Sequence, residues 1–305
     1  MSNRIVECVP NFSEGRHAET VGALVEAVRS VPDVYLLDQT MDPDHHRAVL
    51  TLAGLPDAVA EAACRVTKAA TDRIDLSRHG GEHPRVGATD VIPFVPIRGV
   101  TMQDCVTLAR QVGQRIGNEL GIPVFLYERA AVRSQRVQLE VIRQGGLRNL
   151  AERMATDPDW VPDFGPRVPH PTAGTTVVGA RLPLIAFNVN LEAEDPEVAH
   201  DIARAIRFSS GGLPSLKAIG VSLASRHLVQ VSMNLTNFEE TPVHVAFDAV
   251  KREAARRAVR VAGSEVVGLI PEQAVQRSSE FFRTMERFDP SFVLEHRLQM
   301  AMKSD

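Results

Sequence analysis

Residues 182–191 read LPLIAFNVNL, and the order of segments after them decides the fold. The run is apolar and rich in strand formers, so it reads as a β-strand. A helical segment, PEVAHDIARAIRF, follows, then two strand-like runs, SLKAIGVSL and LVQVSMNL, then the strongly helical VHVAFDAVKREAARRA. The same β-α-β-β-α order occupies residues 4–72. There RIVECV (4–9) is the strand, PNFSEGR a polar turn, and a helix is expected over about 17–30. VYLLD (34–38) and RAVLTLAG (47–54) are the paired strands, with a loop or bent hairpin in QTMDPDHH between them. A helix from about Asp57 to Asp72 then starts behind Pro56, a residue suited to a first helical turn. One grammar used twice predicts an α/β (α+β) chain built as two related ferredoxin-like split-βαβ lobes, each a sheet with helices packed on it.

Between the two repeats the pattern predicts a strand in ATDVIPFVPI interrupted by its prolines, a helix over about 101–119, a strand at 122–128 and a helix near 135–154. Residues 156–176, TDPDWVPDFGPRVPHPTAGTT, hold five prolines, two glycines and the only tryptophan, a composition that marks a long connector. Connectors of that length are functional or serve as linkers. The expected lobes are therefore residues 1–178 and 179–305. The basic residues Lys251, Arg252, Arg256, Arg257 and Arg260 read as a solvated helix face.

Composition narrows the function. Of 305 residues, 44% are hydrophobic and 24% charged, which supports a full core and argues against disorder. A net charge of −4 and only 5% aromatic residues argue against a nucleic-acid binder. Three widely spaced cysteines, Cys8, Cys64 and Cys105, suggest neither a disulfide framework nor a cysteine metal site. The N-terminus has no signal-like apolar region and no apolar run is long enough to span a membrane, so a cytoplasmic protein without a membrane partner is expected.

Residues 78–90, RHGGEHPRVGATD, concentrate groups able to bind or protonate an anion: Arg78, His79, Glu82, His83 and Arg85. His79, Glu82 and His83 also spell H-x-x-E-H, a zinc-peptidase pattern. That pattern needs both histidines on one helix face, yet Gly80 and Gly81 stand between them and Pro84 follows directly. No metal is expected. A histidine here is instead suited to general acid–base work near neutral pH.

The wider stretch SRHGGEHPRVGATDVIPFVPIRGV resembles the signature of the formiminotransferases, and VECVPNFSEG, DWVPDFGP, TTVVGAR and LIAFNVNL resemble further motifs of that family in the same order. The resemblance covers nearly the whole chain. It implies transfer of the formimino group of N-formimino-L-glutamate to N5 of tetrahydrofolate, a co-substrate, by a stand-alone enzyme whose lobes enclose a substrate tunnel. It places the catalytic histidine at His83. Asp38, and after it Glu82, are the candidates to orient that ring. The folate-contacting connector falls on Gly165, Pro166, Arg167, Val168, Pro169, His170, Pro171, Thr172, Ala173 and Gly174.

Both substrates are carboxylates, which makes Arg47, Arg85 and Arg181 candidate ligands for them. Asn11, and Asn188 and Asn190 at alternate positions of one strand, would hydrogen-bond substrate, with Asn234 placed likewise on a partner strand. Two departures stand out: His46-Arg47 replaces the Asn-Arg common in the family, and Thr172-Ala173-Gly174 replaces an aromatic-containing segment. Rival readings are conversion of 5-formyltetrahydrofolate with ATP, a zinc hydrolase using His79, Glu82 and His83, and a non-catalytic folate-binding protein. Partners would be small molecules, and a homodimer formed through the second lobe would be a common outcome.

Overall fold

In the computed structural model, which describes residues 4–43, 45–79, 85–285 and 288–304, the N-terminal strand is interrupted around Pro10. Its two parts are β1 (Ile5–Cys8) and β2 (Asn11–Phe12). Helix α1 (Ala18–Arg29), the strands β3 (Val34–Asp42) and β4 (Arg47–Gly54), helix α2 (Pro56–Arg73) and strand β5 (Thr89–Arg98) follow. β4 pairs antiparallel with β3 and with both β1 and β2, and these pair antiparallel with β5. The order β3-β4-β1/β2-β5 is that of a ferredoxin-like sheet.

The sheet then grows. Helix α3 (Met102–Glu119) leads to β6 (Val124–Glu128), and helices α4 (Leu139–Arg143) and α5 (Gly146–Thr156) precede β7 (Thr176–Ala180). β7 lies between β5 and β6, parallel to both. Val124 to Tyr127 are all buried, as expected of a strand covered on both faces. Val124 and Leu126 join the core with α1, α2 and α3, while Phe125 and Tyr127 pack with Ile142, Leu150 and Trp160 on the opposite side. A capping box between Thr101 and Asp104 starts α3, and Pro56 starts α2.

The second unit uses β8 (Ile185–Leu191), α6 (Pro196–Ile206), β9 (Leu216–Leu223), β10 (Leu228–Leu235), α7 (Val243–Arg256) and β11 (Val261–Val267). Its order, β11-β8-β10-β9, is antiparallel throughout and repeats the first sheet's arrangement. Helices α8 (Glu272–Arg277), α9 (Ser279–Thr284) and α10 (Leu294–Ser304) follow. Ile185, Phe187, Val189 and Leu191 alternate into a core with residues of α6 and α7, and Phe187 meets Phe281 edge-on at 5.8 Å. The chain divides into two compact units, Met1–Arg181 and Leu182–Asp305. No described helix is long and apolar enough to cross a membrane.

Several local expectations are corrected. β3 runs on to Asp42, so QTMD is strand and only a short turn joins it to β4. β5 is continuous through Pro93 and Pro96, because proline loses only a donor: the Pro93 carbonyl still accepts the Val9 N–H at 3.3 Å. The single helix expected near 135–154 is two, broken where Gly145 and Gly146 adopt φ of +74° and +68°. The basic residues 251–257 are exposed on α7 and its end, but Arg260 lies past the helix and pairs with Glu192.

Candidate active site

Two chain segments frame residues 80–84. On the N-terminal side Leu76–Arg78 forms a 3-10 turn, capped by Asp75, whose carboxylate accepts the Ser77 N–H at 3.0 Å. On the C-terminal side the Val86 N–H donates to the buried Asp90 carboxylate at 2.7 Å, and Asp90 also pairs with Arg143 of α4. The connector bridges these two sides. The Thr172 carbonyl accepts from Leu76 N–H at 2.8 Å, that of Ala173 from Ala88 N–H at 2.9 Å, and Thr175 N–H donates to Val86 at 2.8 Å. Glu82 and His83 themselves lie outside the described residues. Their flanks, Ser13 of the N-terminal turn, and the connector are thus hydrogen-bonded into one unit, with Ser13 Oγ donating to the Gly87 carbonyl at 2.7 Å.

Strand register sorts the remaining candidates. Ala48, Leu50 and Leu52 of β4 join the core with α1 and α2, so the alternate positions face the other way. Asp38 pairs with Thr51, Asn11 with Val49, and Asp42 with Arg47. A register shift between Leu36 and Asp38 brings Asp38 onto that second face. Asn11, Asp38 and Arg47 therefore share one face of the sheet. Asp38 sits within β3, not at its end, so a turn-capping role does not apply to it. The Asn11 amide donates to the Val9 carbonyl at 3.0 Å.

At the β3–β4 turn His46 takes φ of +49° and is buried. Its Nδ1 accepts the Gly15 N–H at 3.0 Å, so in the neutral ring the proton is on Nε2. The Glu14 carboxylate stands 3.5 Å away. The imidazole of His79 stacks on that of His46 with centroids 3.8 Å apart and planes at 27°. Arg85 donates from Nη1 toward the His79 ring, 2.7 Å from each nitrogen, and from Nη2 to the His45 carbonyl at 3.0 Å. Burial, then the charge of Arg85, pulls His79 down to about 4, and burial also lowers His46. Burial would raise Glu14, but the N–H groups of Arg16 and His17 at 2.8 and 3.0 Å hold its carboxyl below the usual range. The result is a neutral imidazole pair between a carboxylate and a guanidinium. A cation on His79 would face Arg85, which disfavours this ring as a metal ligand. Among the described residues no group of three or more His, Cys, Asp or Glu is placed to hold a metal.

The connector's residues divide by role. Gly165 has φ of +80°, and a β-carbon there would lie 2.5 Å from the Ile122 carbonyl oxygen, so this glycine serves close packing. Pro166, Arg167 and Val168 are exposed, whereas Ala173 and Gly174 are buried; the His170 and Gly174 backbones pair, and His170 Nδ1 accepts the Ala173 N–H at 3.1 Å. Pro169 and Thr172 are half-buried and Pro171 is exposed. Arg181 donates its backbone N–H to Phe94 at 3.0 Å, and its side chain hydrogen-bonds the buried Tyr127.

In the second unit Asn188 and Asn190 do share a face of β8, opposite its core residues. Gln230 donates to the Asn190 side-chain oxygen at 2.8 Å and to Glu265 at 3.1 Å, and Asn188 donates to Glu265 at 3.3 Å. Asn234, also on β10, is exposed. Gln230, Glu265, Glu14, Asp90 and Arg143 were not singled out from sequence. Glu14 and Asp90 lie inside the VECVPNFSEG and RHGGEHPRVGATD stretches without a role attached to them, and no motif marks Gln230, Glu265 or Arg143, whose partners lie 35 or more residues away, as in Gln230 with Glu265 or Arg143 with Asp90. The polar residue Gln230 inside LVQVSMNL was the one visible signal.

Comparison with known proteins bears on the whole chain. A profile described as Formiminotransferase domain, N-terminal subdomain, matches residues 5–181, and one described as Formiminotransferase domain matches residues 186–304. A glutamate formimidoyltransferase of Streptococcus pyogenes serotype M1 is 49% identical over 286 residues, 94% of this chain and 95% of its own length. Another, from Thermoplasma acidophilum, is 45% identical over 299 residues, 97% of this chain and 98% of its own. The formimidoyltransferase-cyclodeaminase of Sus scrofa is 43% identical over 98% of this chain, which spans 56% of that longer protein.

Proposed function

The chain belongs to the formiminotransferase family, and from that membership and the site's geometry we propose how its residues carry out the reaction. The protein is an enzyme that transfers a formimino group. The donor is N-formimino-L-glutamate and the acceptor is N5 of tetrahydrofolate. N5, a neutral amine, attacks the amidine carbon to give a tetrahedral intermediate. It loses its proton as the C–N bond forms, and the departing glutamate nitrogen gains one as its own C–N bond breaks. The products are 5-formiminotetrahydrofolate and L-glutamate, with no net proton change.

His83 is the shuttle, base in the first step and acid in the second, a contribution of about 10²–10⁴-fold for such a group. Asp38 orients the ring and stabilises its imidazolium form, with Glu82 as the second candidate. Arg47 and Arg85 attract the substrate carboxylates, and the connector from His170 to Gly174 contributes to folate binding. The observation that carries this reading is near full-length identity of 49% and 45% to two glutamate formimidoyltransferases. What supports the site assignment is the tying of connector, N-terminal turn and both flanks of 80–84 into one hydrogen-bonded unit.

Product analysis tests it. Incubation with tetrahydrofolate and N-formimino-L-glutamate should release L-glutamate in step with 5-formiminotetrahydrofolate. Conversion of 5-formyltetrahydrofolate with ATP, without glutamate release from the formimino donor, would reject the proposed substrates.

A further inference from the structure

Strand register lines up four side chains across the second unit's sheet. Glu265 of β11 pairs with Asn188 of β8, Asn188 with Ser232 of β10, and Ser232 with Ile219 of β9. All four lie on the face opposite the core, because Phe187, Val189, Val231, Met233, Ala218 and Val266 occupy the other side. In the adjacent row of the same face Val267 pairs with Ala186. On the far side of Asn188 and Ser232, Asn190 pairs with Gln230, and both are buried.

The amides of this face turn to one carboxylate oxygen. Asn188 Nδ2 donates to Glu265 Oε1 at 3.3 Å, and Gln230 Nε2 donates to the same oxygen at 3.1 Å. Gln230 is held in place by Asn190 Oδ1, 2.8 Å away. Neither amide uses Glu265 Oε2. A glutamine at 265 would satisfy both amides with its one carbonyl oxygen. What the carboxylate adds is a second acceptor and a negative charge. Glu265, Asn188 and Ser232 are half-buried, while Ile219 and Val267 leave apolar side chains exposed on β9 and β11.

We propose that this row is the pterin subsite of the transferase: Glu265 accepts the N–H donors of the ring's 2-amino group and N3, and Asn188 donates to its 4-oxo oxygen. The proposal rests on the reading of tetrahydrofolate as the formimino acceptor. The 2-amino-4-oxopyrimidine edge of a pterin carries two N–H donors followed by an acceptor. A carboxylate takes both donors in bidentate fashion, and charge strengthens each bond. The neighbouring strand, about 4.8 Å away, supplies Asn188, whose amide has a second hydrogen beyond the one engaged with Glu265. Ile219, Val267 and the small Ala186 offer apolar surface to the flat ring. The formimino group of the donor also carries N–H groups, but it has no acceptor beside them and little apolar surface to bury. The row therefore suits the pterin.

The test measures kcat and KM for both substrates in wild type, Glu265→Gln and Asn188→Ala, with Tm as a folding control. Tetrahydrofolate is compared with its 2-desamino-2-methyl analogue, which lacks the amino donor. Glu265→Gln should raise KM for tetrahydrofolate by about 10- to 100-fold, the worth of hydrogen bonds to a charged group, and change kcat and the donor's KM far less. The analogue should show a comparable rise in the wild type and no further rise in Glu265→Gln, because its lost partner is already gone. A merely structural role would weaken both acceptors alike and leave that discrimination intact. Asn188→Ala should raise KM for tetrahydrofolate by about 3- to 10-fold, and with the wild-type comparison of the two acceptors it carries the test if Glu265→Gln does not fold. Unchanged KM for tetrahydrofolate in the folded variants, discrimination retained in Glu265→Gln, or equal use of the two acceptors by the wild type overturns the subsite. A rise confined to the donor's KM also overturns it and places the formimino group on Glu265 instead. Absence of glutamate release by the wild type with tetrahydrofolate overturns the transferase reading itself, a result distinct from the others.

Discussion

Asp90 divides its carboxylate between Arg143 and the main chain: one oxygen pairs with the guanidinium, the other accepts the Val86 N–H at 2.7 Å. Both side chains are largely withdrawn from solvent, Asp90 the more completely. Replacing one partner leaves a buried charge without its counter-ion. Arg143→Met should therefore lose about 3–5 kcal/mol of stability, read from the urea midpoint. The double variant Asp90→Leu/Arg143→Met should lose less than the sum of the two single changes. Additive losses would show that the pair is not coupled.

His79 makes folding sensitive to acid. Its pKa is about 4 in the folded protein against an ordinary value of 6.5. Between those limits the unfolded chain binds more protons, so stability falls as pH drops from 6.5 toward 4 and this residue adds no further loss below. Above 6.5 its contribution is constant. His79→Asn should flatten the pH dependence of the urea midpoint across that window, and identical slopes for wild type and variant would contradict the assignment.

The polar face of the second sheet holds Gln230 between Asn190 and Glu265, at 2.8 and 3.1 Å. Asn190→Leu removes one acceptor from a buried amide and should cost about 1–3 kcal/mol in thermal or urea denaturation. Asn234, exposed on the neighbouring strand, provides the control: Asn234→Ala should stay within about 0.5 kcal/mol of wild type. Equal effects at the two positions would remove the argument for a buried network.

Asp38 lies mid-strand on the same sheet face as Asn11 and Arg47. If it orients the shuttle ring, Asp38→Asn keeps the shape but loses the charge, and kcat should fall by about 10²-fold or more with little change in KM. A change confined to KM would instead make Asp38 a substrate ligand.

Much of this was legible in the sequence because the relevant signals are local. Alternation in LIAFNVNL shows which residues of β8 turn inward, and Pro56 marks a helix start that the fold uses. The repeated β-α-β-β-α order gave both ferredoxin-like sheets. β11 was missed because VAGSEVV mixes glycine and serine with its apolar residues, and it earns its place only by pairing with β8. The insertion of β7 between β5 and β6 depends on contacts far apart in the chain. At the site, GEHPR named the histidine through resemblance, while the His46–His79 stack needs residues 33 positions apart to meet, which no spacing reveals.

The most direct measurement is turnover of tetrahydrofolate and N-formimino-L-glutamate in excess chelator, for wild type and His83→Ala side by side. Chelator-resistant turnover in the wild type that falls by about 10²-fold or more in the variant is the predicted result, and it would make His83 a proton shuttle that works without a metal. Wild-type turnover abolished by chelator, or undiminished turnover in His83→Ala, would contradict it.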